Sequence, residues 1–459
     1  MLFTSFIFYF FFLIVLFSIQ VNYKIFSSIK IQNFILLLAS YIFYGYWDWR
    51  FLILIIIVSI QTFLFGNLIN KSKSNQGKIY LIISIIINLL ILGYFKYADF
   101  FVNEFLRLFN LKESLIFSNI VLPVGISFYI IQSLTYVFDI FLKKLVPEKE
   151  IFNYLTYIAF FPQLVAGPIE RASSLLPQFR RLHRVSLENL YLGIKLIIIG
   201  LFLKAFIADN LGLVVDRIFG NYQNYKSGTL FLGALGFSIQ IYGDFCGYSL
   251  MAIGVAKIMD FNLMQNFKTP YFSNSIQEFW TRWHISLSTF FNDYIFLPLA
   301  LILRREGIFG ILFATIITFT ISGIWHGANW TFILWGILNG TILVVQKSFP
   351  KVITKNFGSL TTLLSVLILF VLFRSESIHD FSQYIYLLFT TKPVLPETGY
   401  SIIIYTFYYF ILDLILLKFK QTEETWFSSK FLESFLLALM FLLALGSISK
   451  NINFIYFQF

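Results

Sequence analysis

One cysteine in 459 residues, Cys246, leaves no internal disulfide to form and no cysteine cluster to hold a metal ion. That thiol sits in an apolar run, where a free cysteine behaves as a small hydrophobe. Charge is equally sparse: Asp, Glu, Lys and Arg make up 12% of the chain against 58% hydrophobic residues, and the mean hydropathy is +0.79. No soluble domain of this length carries such a composition on its surface, so the chain reads as an all-α polytopic integral membrane protein. The alternating ten-residue strands of an outer-membrane barrel are missing. Also missing are G-x-S-x-G, H-E-x-x-H, a metal-ligand triplet and a P-loop, which argues against hydrolase, metalloprotein and nucleotide-driven chemistry. No internal repeat, heptad run or low-complexity linker divides the sequence, and a single membrane domain over 1–459 is expected. The missing repeat also argues against a transporter built from paired halves. The first twenty residues lack the basic n-region and cleavage site of a secretory leader and read as a first span.

A span needs about 20 residues to cross about 30 Å of hydrocarbon. Apolar runs of roughly that kind fall at 2–20, 34–46, 51–65, 79–95, 122–142, 190–207, 230–256, 308–323, 331–346, 358–373, 401–417 and 431–447. This predicts about 11 to 12 transmembrane helices. Two further stretches, 151–166 and 276–300, are broken by proline or a polar stripe and read as re-entrant or interfacial. Lys and Arg outnumber Asp and Glu by 34 to 23, a formal excess of +11. In a membrane chain that excess marks cytoplasmic loops rather than nucleic-acid binding. Lys24 and Lys30, Lys71 to Lys78, Lys143 and Lys144, Arg171 to Arg184, Arg304 and Arg305, and Lys347 to Lys355 fall on one side when the runs are counted as crossings. The segments 47–50, 96–119, 209–228 and 374–399 are then expected to be outward loops.

Two of the four histidines lie in otherwise apolar sequence, and an ionisable group in hydrocarbon is by default a functional-site hypothesis. Around the first, Thr281, His284, Ser288 and Asn292 recur at three- and four-residue spacing. Phe279, Trp283, Leu287 and Phe290 occupy another face, as in one amphipathic helix. An interfacial anchor with an incidental histidine has the same pattern. The second, His326, follows the run Ile308 to Gly323, which rises only about 24 Å and places the histidine inside the membrane. Gly323 and Gly327 permit a break or a close backbone approach there, and Trp325 and Trp330 are candidate cavity walls. A structural histidine hydrogen-bonded between helices is the alternative. A neutral imidazole in such surroundings can act as general base on an alcohol, which suits acyl transfer: a thioester donor needs little activation, the acceptor hydroxyl does.

In FFPQLVAGPIERASSLLPQF at 160–179, Pro162, Gly167, Pro168 and Pro177 forbid a continuous helix. Arg171 and the freed backbone are candidates for an anionic cofactor such as the phosphates of coenzyme A, with Gln163 and Arg282 as further donor-binding candidates. A proline-rich surface turn has the same sequence. Asp244, near Tyr242 and Tyr248 in an apolar helix, either lines the same cavity or closes an interhelical hydrogen bond.

These stretches closely resemble the membrane-bound O-acyltransferase family, in its bacterial branch of alginate O-acetyltransferases and teichoic acid D-alanyl transferases. The landmarks are SYIFYGYWDWRFL at 40–52, YFKYADFF at 94–101, LPVGISFYIIQSLTYVFDI at 122–140 and FFPQLVAGPIER at 160–171. They continue with KAFIADNLGLVVDRIF at 204–219, YGDFCGYSLMAIGVAKI at 242–258, EFWTRWHISLSTFFNDYIFLPL at 278–299 and GIWHGANWTFILWG at 323–336. The signature core covers about 122–346. The alginate-acetylating type is the most similar. The resemblance implies a ring of helices around a central tunnel, with His326 as the catalytic histidine and His284 as the second signature position. It further implies a cytoplasmic acyl thioester donor, acetyl-CoA in the first instance, and no metal. The acyl group would pass to a periplasmic or extracellular SGNH-type acyltransferase partner or directly to a polysaccharide hydroxyl. The bacterial cytoplasmic membrane is the implied location. The one departure is ALILRREG at 300–307, where relatives carry a basic turn rich in glycine and asparagine; a donor contact made there would differ in this chain.

Overall fold

The computed structural model describes residues 1–109, 111, 120–348, 358–394, 399–418 and 429–448. Every regular element among them is helical, which keeps each backbone N–H and C=O paired inside its own segment where no water reaches. Seven helical segments are long and apolar enough to cross a membrane: Phe6–Phe26, Ile29–Lys71, Ser74–Leu108, Leu187–Gly220, Ser227–Ile258, Ile285–His326 and Tyr400–Lys418. Ile126–Phe141 and Gly358–Arg374 are shorter apolar helices. The apolar runs at 34–46 and 51–65 therefore belong to one helical segment. Its interruption is the extended residue Asp48 and the 3-10 turn Trp49–Phe51, where the Asp48 carboxylate accepts from the Arg50 N–H and pairs with its guanidinium at 2.6 Å.

Three segments expected as outward loops are largely helical: Ala98–Leu108, Asp209–Gly220 and Ile378–Thr390. Mixed charge there reflects amphipathic helices, whose polar stripe suppresses the hydropathy that reveals a span. For Ile378–Thr390 the start was written locally: the Ser377 hydroxyl accepts from the Asp380 N–H and donates to its carboxylate at 2.6 Å. Lys351 and Lys355, positions 110 and 112–119 of the expected second loop, and positions 395–398 of the fourth lie outside the described residues.

The chain clusters into two compact units, Met1–Ile194 with Ala252–Met264, and Lys195–Met251 with Gln265–Phe459. In the first unit, Ile126–Phe141 packs on Leu52–Lys71 where Gly66 leaves room for the Tyr136 ring. Gly125, with φ +76, starts the former helix, and its Cα faces the Leu164 carbonyl, so a side chain is excluded on both counts. Beyond Ile151–Ala159 the proline-rich stretch unwinds into a turn, the short helix Ala172–Leu175 and the 3-10 turn Leu176–Arg180. His183 is fully buried below that turn, stacked on Phe261 at 3.8 Å, with Nε2 at 2.7 Å from the Gln178 carbonyl and Nδ1 at 3.1 Å from the Asp260 carbonyl.

The second unit holds both signature histidines. Its polar interior includes Lys204, which reaches Asp209 at 2.7 Å and Asp244 at 2.5 Å, and Lys195, which meets Glu433 at 2.6 Å.

Candidate active site

Helices Gly307–His326 and Trp330–Ser348 lie against each other because small residues face across the seam. A Cβ at Gly340 would meet the Ile316 Cα at 2.8 Å, one at Gly336 would run into the Phe319 carbonyl, and one at Gly323 into the Phe332 carbonyl. His326 is the last residue of the first helix, and Gly327 follows it in extended conformation, its Cα facing the Phe332 ring. The expected end of this helix near Gly323 is thus corrected. Its 20 residues rise about 30 Å, because Ile324 and Trp325 continue the apolar helix up to the histidine. His326 is buried by the protein around it rather than by the shortness of the span.

The single amphipathic helix expected over 276–296 is three pieces. The Ser275 hydroxyl caps Ile276–Arg282 by accepting from the Glu278 N–H at 3.0 Å, and Trp283 is extended. His284 takes the left-handed conformation, φ 43 and ψ 55, and opens Ile285–Phe291, which passes into the π-turn Asn292–Phe296.

These elements enclose one cavity of about 480 Å³. His284 and His326 both line it, with Trp280, Trp283, Ser288, Phe291, Thr315, Thr318, Phe319, Ser322 and Leu343. Gln277, Thr281, Asn292 and Lys347, also lining, are exposed and mark its open side. Thr281, His284, Ser288 and Asn292 thus share one cavity although they do not share one helix. The Thr315 and Thr318 hydroxyls donate to the Ile311 and Ala314 carbonyls of their own helix, which leaves oxygen lone pairs for the cavity.

Aromatic rings fix both imidazoles. The Phe245 ring stands at 4.6 Å from His284, at 82° to it, and Trp325 lies 6.1 Å away. His326 has Trp325, Trp335 and Phe373 at 5.0, 5.1 and 5.3 Å, each ring steeply inclined to the imidazole. Trp325 is therefore a buried neighbour of both histidines, standing behind the cavity rather than in its lining.

Several expected site residues lie elsewhere. Trp330 is 51% exposed at the start of the following helix and is absent from the lining. Asp244, also absent from it, is bound to Lys204; its partner is a buried cation on another helix. The Tyr242 hydroxyl donates to Asp413 at 3.3 Å, which also accepts from Tyr409 at 2.7 Å. Arg282 is paired with Glu278, four residues before it, at 2.5 Å. Arg171 and Gln163 belong to the first unit, where Arg171 is the N-cap residue of Ala172–Leu175 and the Gln163 amide donates to the Tyr157 carbonyl at 3.0 Å. Sequence reasoning missed Thr315, Thr318 and Ser322, whose three- and four-residue spacing on an apolar helix is a legible polar stripe. It also missed Phe373, for which no local signal exists, and it read Lys347 only as a basic loop residue. Among the described residues no group of three or more His, Cys, Asp and Glu is placed to hold a metal ion.

The sequence matches the family model described as MBOAT, membrane-bound O-acyltransferase family, over residues 92–378. It is 37% identical over 390 residues to the probable alginate O-acetylase of Pseudomonas putida, covering 83% of this chain and 78% of that protein. The peptidoglycan O-acetyltransferase of Helicobacter pylori is 32% identical over 385 residues, 75% of this chain and 71% of its own length. The teichoic acid D-alanyltransferase of Streptococcus thermophilus is 30% identical over 210 residues, 43% and 51% of the two chains.

Proposed function

The chain belongs to the membrane-bound O-acyltransferase family, and on that premise we propose that it moves an acetyl group from cytoplasmic acetyl-CoA across the membrane for O-acetylation of a cell-surface polysaccharide. It is a multi-pass membrane enzyme transferring an acyl group to a hydroxyl. The observation that carries the finer reading is the shared cavity: two imidazoles from separate segments line one enclosed, largely apolar space with a cation, Lys347, at its exposed side. In this reading Ile29–Lys71 crosses twice, at the break near Asp48, and Ile126–Phe141, Trp330–Ser348, Gly358–Arg374 and Lys430–Leu445 supply the remaining crossings of about 11 to 12 around a central tunnel.

The acceptor hydroxyl approaches the thioester carbonyl carbon beside His326. The imidazole takes the hydroxyl proton as the oxygen–carbon bond forms, the carbon–sulfur bond breaks, and the proton passes to the departing thiolate. His284 holds donor or proton in register, and no metal is required by this scheme. Lys347, with Gln277, Thr281 and Asn292, receives the polar end of the donor; Arg282 is adjacent in sequence to Thr281 and supports the same rim, and Arg171 and Gln163 are retained as donor contacts to be tested. The acetyl group leaves through a periplasmic or extracellular SGNH-type acyltransferase or goes directly to the sugar hydroxyl, and the home membrane is the bacterial cytoplasmic one.

The similarity to a teichoic acid D-alanyltransferase supports a second reading, D-alanyl transfer from a carrier-protein thioester. The test is transfer of radiolabelled acetyl from acetyl-CoA in inside-out vesicles, with total cell polysaccharide as acceptor. Label with the wild type but not with His326→Ala supports the first reading. Equal label with both sinks the role of His326, and no acetyl label but transfer of radiolabelled D-alanine once an adenylating enzyme, its carrier protein and ATP are added transfers the case to the second reading.

A further inference from the structure

The backbone at His284 is in a conformation that non-glycine residues adopt at a cost in free energy, so something outside the segment must hold it there. The residue that does so is Asn266, which is 1% exposed. Its backbone carbonyl accepts from the Ile285 N–H at 2.9 Å. Its side-chain oxygen accepts from the Ser286 N–H at 3.2 Å and from the Ser286 hydroxyl at 2.9 Å. These N–H groups belong to the first turn of Ile285–Phe291 and have no carbonyl four residues back within their own helix. The amide nitrogen is anchored as well: it donates to the Ser249 hydroxyl at 3.2 Å. Two residues on, the Lys268 N–H donates to the Arg282 carbonyl at 2.8 Å, so 266–268 runs as a splint along 282–286. Ser249 lies one helical turn from Phe245, the ring set edge-on to His284. The splint and the ring thus share one helix, Ser227–Ile258, as their base.

We infer that Asn266 is a positioning residue that locks His284 in its left-handed turn and so directs the imidazole into the cavity. The activity arm of its test rests on the proposed acyl transfer; the structural arm does not. In the first arm, Asn266→Ala is expected to lower the turnover number by about 100-fold while the donor KM stays within about threefold, since misplacing a catalytic group acts on the chemical step. In the second, diethyl pyrocarbonate modification of each histidine is followed by peptide mass spectrometry in membranes. The rate at His284 changes in Asn266→Ala while the rate at His326, in the same cavity, stays as in the wild type. Ser249→Ala, which removes only the acceptor of the Asn266 amide, gives the same pattern at smaller size and serves where the first variant fails to insert. An unchanged rate at His284, or rates at both histidines rising together, overturns the assignment. Full transfer by His284→Ala would overturn the role given to His284 and leave the modification arm to decide on Asn266.

Discussion

The indole of Trp325 lies 6.1 Å from the His284 ring and 5.0 Å from the His326 ring, a shared neighbour for two imidazoles that line the same cavity. Because His326 is also flanked by Trp335 and Phe373, its side chain has few orientations that do not clash with a ring. That restriction makes its chemistry testable by substitution with shape-conserving residues.

His326→Gln keeps a hydrogen-bonding side chain of similar reach but cannot shuttle a proton at neutral pH. Transfer should fall by about 10² to 10⁴-fold with insertion and detergent melting unchanged. Near wild-type transfer by this variant would remove the general base from the scheme.

The seam between Gly307–His326 and Trp330–Ser348 has no space for a methyl group at Gly336. Gly336→Leu is expected to cost about 1–3 kcal/mol, read as a lower melting temperature in detergent. Transfer should drop with it, since this helix packs along the one that ends at His326.

Lys204 balances two buried carboxylates, Asp209 and Asp244. Lys204→Met strands both and should destabilise the protein by about 3–5 kcal/mol. Adding Asp209→Asn and Asp244→Asn should restore most of the melting temperature. If the triple variant melts as low as the single one, the network is not held together by charge.

Two groups in the first unit, outside the spanning segments, give stability opposite slopes with pH. Burial holds the His183 imidazole below its ordinary 6.5, so the unfolded chain binds the proton better and stability falls as pH drops below that value. Burial pushes the Glu170 carboxyl up to about 7 from 4.5, so its contribution is full below 4.5 and is lost as pH rises through about 7. Glu170→Gln, which keeps an oxygen for the Met264 N–H, should therefore protect the first unit from proteolysis at about pH 8 and change little at about pH 4.5. A variant equally protected at both values would contradict the assignment.

How much of this was legible follows from where each determinant sits in the chain. The spans were visible because hydrocarbon demands long apolar helices, and the polar stripe Thr281, His284, Ser288 and Asn292 pointed to one shared surface. The break at Trp283 and His284 was not visible, since it is imposed by Asn266 from an earlier stretch and leaves the local periodicity intact. Asp244 was ambiguous for the same reason: nothing around it announces Lys204. Trp330 was misplaced because a tryptophan near the histidine in sequence need not face it: its side chain is half exposed, while that of Trp325 packs against both imidazoles.

The two walls of the cavity differ in how they can move. The His326 wall is a pair of long helices closed face to face over small residues, a packing that resists separation. The His284 wall is assembled from a seven-residue helix, an extended residue, a second seven-residue helix and a π-turn, its junction held by bonds to Asn266 and Lys268. Any local response to a bound donor is expected on that side, in the pieces that flank the splinted turn at 282–286. Amide exchange in 276–281 and 287–296 should respond to donor while that in 307–326 stays still, which would make the cavity a fixed anvil faced by a wall of short, separately adjustable pieces.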